Sequence, residues 1–265
     1  MAELPASDRL IVALDVDHAT DAMKIVQSLG DTVSFYKVGL QLFLPHGMPF
    51  VKELIAEGKK VFLDLKIDDT PRTVEAAVQH ATQDHGVQFF TLQGNDETAR
   101  AARRGRGDTG FPKFLQVTYL SSWSFDDWLA HMHFPDEIRE DLRKKVSFSQ
   151  IIENRAREIL AAGCEGVIAS GESVEQLRKV FPDAIIVTPG IRPEGSGTDD
   201  HKRAQTPYEA IARGANYLVV GRPIRNELPL ARLDTAKRII DDIRRGLEDF
   251  PQMQGSPRLD EANNR

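Results

Sequence analysis

The run Asp64-Leu65-Lys66-Ile67-Asp68-Asp69 sets one amine among three carboxylates within six residues. In an extended segment Asp64 and Lys66 lie two apart and share a face. Neighbouring carboxylates favour the ammonium form of a lysine. An ammonium caged by acids suits a proton donor to a developing carbanion, chemistry that needs neither a metal nor an imine. A second group is built for an anion. Thr188-Pro189-Gly190-Ile191-Arg192 and Gly221-Arg222-Pro223 each follow an apolar run and carry a guanidinium. Backbone N–H groups beside glycine and a bidentate arginine suit a phosphate. The intervening loop, Arg192 to Thr206, carries Gly195, Ser196, Gly197 and Thr198 and reads as a lid over that anion. Asp15 and Lys37, each closing an apolar run, complete the charged set. For any one pair a structural salt bridge is the plain alternative; for the whole set, charges ending successive apolar runs call for a bound partner.

Such a set needs strands that deliver their last residues to one place. Short apolar runs recur at Leu10–Leu14, Phe35–Val38, Val61–Leu65, Val87–Leu92, Phe114–Thr118, Gly166–Ala169, Ala184–Val187 and Tyr217–Val220. Most are apolar on both faces, as parallel strands covered on both sides are. Helical patterns lie between them, among them Ala19–Leu29, Met48–Glu57, Arg72–Gln83, Ile151–Ala162, Val174–Val180 and Pro207–Arg213. Eight strand–helix units predict an α/β fold, a single-domain (β/α)₈ TIM barrel spanning residues 1–250, with reactive groups at the C-terminal strand ends. No GxGxxG follows the first run, which removes the main argument for a dinucleotide-binding sheet. Trp123–Ser149 reads as a helical insertion after strand 5, and residues 251–265 as a polar tail.

Composition narrows the function classes. A net charge of −6 over 265 residues argues against a general nucleic-acid binder. The cluster Arg100, Arg103, Arg104 and Arg106 reads as a solvated helix end. Cys164, the one cysteine, permits no intrachain disulfide and reads as a small packing residue. The polar N-terminus and the lack of a long apolar stretch predict a cytoplasmic protein without a membrane anchor. His131 and His133 form an HxH pair with no obvious third ligand, so no metal is expected.

Asp15, Lys37-Val38-Gly39, Asp64 through Thr73, Thr188 through Pro193 and Val219 through Pro223 together resemble the orotidine 5′-phosphate decarboxylases, in order and spacing from about Leu10 to Ile224. The Asp-x-Lys-x-x-Asp core is shared with sugar-phosphate relatives; Pro71, Thr73 and the Thr188–Pro193 run are more specific. The resemblance implies a cofactor-free decarboxylase in pyrimidine biosynthesis, with Lys66 protonating C6 and Asp64 facing the substrate carboxylate. It implies ribose contacts from Asp15 and Lys37, a pyrimidine contact from Ser121, and phosphate ligands Arg192, Gly221 and Arg222, with Pro189 also lining the site. Asp69 and Thr73 would reach the neighbouring subunit's site, which implies a homodimer. His201 stands where a lid Gln is usual, Gln93 where many members carry His, and Thr70 where an apolar residue is expected. Two rivals remain: a keto-sugar-phosphate decarboxylase of the same superfamily, which would need Mg²⁺, and a non-catalytic nucleotide-binding barrel.

Overall fold

The computed structural model describes residues 4–82, 86–120, 123–169, 171, 173–194 and 205–250. Its strands are β1 (Leu10–Ala13), β2 (Phe35–Gly39), β3 (Lys60–Ile67), β4 (Val87–Leu92), β5 (Lys113–Val117), β6 (Gly166–Ile168), β7 (Ile185–Thr188) and β8 (Tyr217–Val220). They pair in parallel in chain order, and β8 returns to β1, closing a barrel. Closure follows from strands buried on both faces, which an open sheet leaves uncovered at its edges.

Alternation along the strands divides the core in two. One set of side chains packs between sheet and helices. The other fills the lumen: Ile11, Ala13, Phe35, Phe62, Phe89, Leu115, Val187 and Val219. Aromatic rings form its floor. Phe35 and Phe89 lie 5.3 Å apart, and Tyr217 meets Phe89 edge-on at 4.9 Å, a favourable quadrupolar arrangement. The lumen is therefore a packed core, and only its upper end is left for chemistry.

The outer layer holds α1 (Ala19–Leu29), α2 (Leu40–Ala56), α3 (Pro71–Ala81), α4 (Asp96–Arg106), α5 (Phe125–His131), α6 (Asp136–Lys145), α7 (Phe148–Ala161), α8 (Ser173–Val180), α9 (Pro207–Ala212), α10 (Arg222–Arg225) and α11 (Pro229–Asp249). The helix expected at Met48–Glu57 is the second half of α2. Gly47 breaks that helix with φ 59° and ψ −156°, between Pro45 and Pro49, and an extra helical stretch precedes the break. Two long helices, α4 and α11, fall outside the segments named as helical from the sequence. In α4 a low apolar content hides the pattern, although Asn95 caps it by accepting from the N–H groups of Glu97 and Thr98. The insertion after strand 5 is helical as expected: α5 and α6 lie between β5 and α7, and α6 has no buried residue.

Candidate active site

Polar groups at the barrel mouth sit two residues beyond the aromatic floor on the same strands. Phe35 is followed by Lys37, Phe62 by Asp64, and Phe89 by Thr91. The period of two that points the rings inward points these polar groups inward as well, one layer higher. Lys37 Nζ lies 2.8 Å from Asp15 Oδ1 and 3.4 Å from Asp64 Oδ2. Lys66 Nζ donates to Asp64 Oδ1 at 2.7 Å. Asp64 thus bridges two ammonium groups. Burial alone would favour its neutral form, but Lys37 and Lys66, with hydrogen bonds from Lys66 and Thr91, hold its carboxyl below the usual carboxylate range. Burial likewise opposes the charge on Lys37, and Asp64 and Asp15 outweigh it, holding that ammonium above the ordinary lysine range.

Simple strand alternation does not bring Lys66 to this position. Leu63 pairs with Phe90 and Ile67 with Leu92, so three residues of β3 stand opposite the single residue Thr91. The backbone bulges, and Lys66 adopts φ +50°, the left-handed region, at a cost of about 1–3 kcal/mol for a residue with a Cβ. The Lys66 N–H donates to Thr91 Oγ1 at 3.0 Å, and that hydroxyl lies 3.0 Å from Asp64 Oδ1. Gly39, beside the pair on β2, leaves room for it: a Cβ there would stand 3.1 Å from Lys37 Nζ and 3.3 Å from Asp15 Oδ1.

Two cavities meet at this network. One, of about 200 Å³, is walled by Phe62, Val117, Tyr119, Leu120, Ile168, Ala169 and Val219, with Lys37, Asp64, Lys66 and Pro189 on its rim. The other, of about 260 Å³, is lined by Asp15, Lys37, Asp64, Pro189, Gly190, Arg192, Gly221, Arg222 and Arg225, with Ala13 and Val219. Lys37, Asp64, Pro189 and Val219 line both. The pair suits an elongated small molecule with a flat, weakly polar end and an anionic end.

Eight of the twelve residues expected in the site converge here: Lys66, Asp64, Asp15, Lys37, Pro189, Arg192, Gly221 and Arg222. Asp69 and Thr73 line neither cavity. Asp69 precedes α3 and Thr73 lies in its first turn, both exposed; Asp69 Oδ1 accepts from the Thr70 N–H at 2.6 Å and the hydroxyls of Thr70 and Thr73 are 3.0 Å apart. Ser121 and His201 lie outside the described residues. Asp68 turns away, accepting from Thr98 Oγ1 at 3.3 Å. Sequence reasoning did not single out Thr91, Tyr119 or Arg225. Thr91 carried a signal, as the lumen-facing polar residue in Val87–Leu92; Arg225, which donates to the Asp15 carbonyl at 2.5 Å, carried none. Cys164 is buried as expected, and burial, with Glu165 adding to it, pushes its thiol up to about 12. No group of three or more His, Cys, Asp or Glu among the described residues has metal-ligating geometry, and the rings of His131 and His133 are 6.4 Å apart.

Comparison with known proteins gives a consistent picture. The model of the "Orotidine 5′-phosphate decarboxylase / HUMPS family" matches residues 8–232. A protein named orotidine 5′-phosphate decarboxylase from Rhodopseudomonas palustris (strain BisB5) is 43% identical over 218 residues, covering 82% of this chain and 87% of its own. One of the same name from Nitrobacter winogradskyi is 44% identical over 220 residues, covering 83% and 86%. The crystal structure of orotidine 5′-phosphate decarboxylase from Lactobacillus acidophilus superposes with a TM-score of 0.74 at 30% identity, over 89% of this chain and 99% of that one.

Proposed function

Since the chain belongs to the orotidine 5′-phosphate decarboxylase / HUMPS family and is a carboxy-lyase, we propose that it converts orotidine 5′-phosphate to uridine 5′-monophosphate with Lys66 as the proton donor and without a cofactor. The observation that carries the reading is the Lys37–Asp64–Lys66 bridge: Lys37 and Asp64 stand on the wall shared by the two cavities, and Lys66 faces the smaller one beside them. The weakly polar cavity takes the pyrimidine and the arginine-lined one the phosphate. The reactive carbon then stands at the seam, beside Lys66.

The chemistry balances with this chain's own groups. The bond from C6 to the carboxylate breaks, carbon dioxide leaves, and the electron pair stays on C6. The Lys66 ammonium gives its proton to C6, and the resulting amine recovers one from water. Asp64 has two tasks: it orients Lys66 through the 2.7 Å hydrogen bond, and its charge faces the departing carboxylate. Asp15 and Lys37 hold the ribose hydroxyls. Arg192, Arg222 and the backbone at Gly221 bind the phosphate, which does not react but supplies binding energy that holds the reacting end in place. Ser121 and His201 belong to the same proposal as pyrimidine and lid contacts. Asp69 and Thr73, exposed and away from this chain's cavities, complete the site of a second copy in a homodimer.

The test is loss of orotidine 5′-phosphate absorbance by purified protein with EDTA present, for wild type and Lys66→Ala. Wild type turns over in chelator, and the variant loses at least about 10⁴-fold while remaining folded, the upper range for a single acid catalyst. Chelator-sensitive turnover, or a variant within tenfold of wild type, overturns the reading.

A further inference from the structure

The geometry points to Thr91 as a positioning residue for the proton donor, a role that rests on the proposed function of Lys66. Thr91 is fully buried and lies on the lumen face of β4, near the C-terminal end of the strand. Opposite it, β3 bulges and its register with β4 breaks between Leu63 and Ile67, where a regular ladder would offer Lys66 a backbone acceptor. The Thr91 hydroxyl takes that place, accepting the Lys66 N–H at 3.0 Å. A hydroxyl has one proton to give. Two acceptors are in reach, Asp64 Oδ1 at 3.0 Å and the Leu63 carbonyl at 3.4 Å; the shorter, charged one takes it. Asp64 Oδ1 in turn accepts from Lys66 Nζ at 2.7 Å. The result is a closed ring. The backbone of Lys66 binds Thr91, Thr91 binds Asp64, and Asp64 binds the ammonium of the same lysine.

This ring fixes both ends of Lys66 at once. Its left-handed backbone, φ +50°, has a competing extended conformation that would relax the bulge and carry the side chain elsewhere. The Thr91 hydroxyl holds the backbone in the unfavourable basin while orienting the carboxylate that aims the ammonium. Thr91 lines neither cavity, so it acts through Lys66 and Asp64 and not on the ligand. A valine at this position keeps the shape and removes both hydrogen bonds. A serine keeps both.

Steady-state kinetics with orotidine 5′-phosphate, on Thr91→Val, Thr91→Ser and Lys66→Ala, separates the readings. Displacement of a catalytic group by about 1 Å costs about 10²-fold in rate. Thr91→Val is therefore expected to lose about 10²-fold in kcat with little change in KM, and Thr91→Ser to recover most of it. A purely structural role would lower thermal stability and leave kcat per folded site unchanged, and that result overturns the inference. So does equal loss in the valine and serine variants. If Thr91→Val does not fold, Thr91→Ala is read by the same criteria. Failure of both to fold while serine folds assigns the hydroxyl to folding and overturns the positioning role. Lys66→Ala, run in parallel, tests the parent reading by itself: if it retains turnover, Lys66 is not the donor, whatever Thr91 does.

Discussion

Asp64 shows how one buried carboxylate can serve two masters. Removing a carboxylate from water is expensive unless its lone pairs are taken up by donors. Here two ammonium groups and a hydroxyl do this. The consequence for stability has a definite sign. A carboxyl held below its unfolded value stabilises the fold above the ordinary carboxylate range and loses that contribution as pH falls through the folded value. Lys37, held above its unfolded value, contributes below the ordinary lysine range and loses it as pH rises through the folded value. Both contributions, from Asp64 and from Lys37, are therefore present between the ordinary carboxylate and lysine ranges, about pH 5 to pH 10. In urea unfolding, wild type should lose more stability than Asp64→Asn between pH 5 and pH 3, because only the wild type has this carboxylate to protonate. Equal losses would mean that Asp64 is not held as described. At this scale the sequence was legible where a residue type announced its chemistry. The lysine among acids and the glycine–arginine pairs were found from the chain alone. Thr91 and Arg225 were not: the only trace of Thr91 was a polar residue on the lumen side of an apolar run, and an arginine in a helix is ordinary.

Among the elements, β3 and the insertion carry the most consequence. β3 was read as ending at Leu65 and in fact continues to Ile67, because its ladder with β4 resumes after the bulge. Hydrophobic patterning stops where the polar residues begin, so it cannot follow a strand through a charged end. The insertion packs through rings. Tyr119, on the wall of the smaller cavity, stacks near Trp123 at 6.2 Å, meets Trp128 at 6.2 Å and lies 5.8 Å from Phe148. Trp128 is almost fully buried, and its indole N–H has no partner among the described residues. Trp128→Ala should destabilise the protein by about 3 kcal/mol, at the low end for a buried tryptophan because an unsatisfied donor goes with the ring. Its KM should also rise as Tyr119 loses its support. Chemical denaturation and steady-state kinetics check both, and an unchanged KM would separate the insertion from the site. Capping boxes at Ser124 and Ser147 define the helices on either side of α6.

For the whole molecule, the two ends of the barrel divide the labour. The C-terminal end holds the cavities. At the N-terminal end, Arg178 reaches from α8 to the segments entering β7 and β8: its Nε donates to the Gly214 carbonyl at 3.0 Å, and its Nη atoms reach Phe181 O, Pro182 O and Asn216 Oδ1. The bonds to Gly214 and Asn216 join α8 to a segment more than 30 residues on, and none of the four reaches the cavities. Arg178→Met should cost at least about 2 kcal/mol of stability, since it strands several buried acceptors, while kcat stays at the wild-type value. A fall in kcat with unchanged stability would contradict that division. No helix among the described residues is long and apolar enough to cross a membrane.

What the chain determined by itself was the list of strands, the side each residue faces along their regular stretches, and the chemistry available at their ends. These are local properties, set by a period of two and by residue type. What only the tertiary structure decided was partnership. Lys37, Asp64 and Thr91 come from three strands and meet because closing the barrel fixes the strands' mutual register, a long-range condition that no window of sequence contains. The left-handed turn at Lys66 is of the same kind. By local preference alone a lysine avoids it; it holds here because a neighbouring strand supplies the hydrogen bond that the bulge removed.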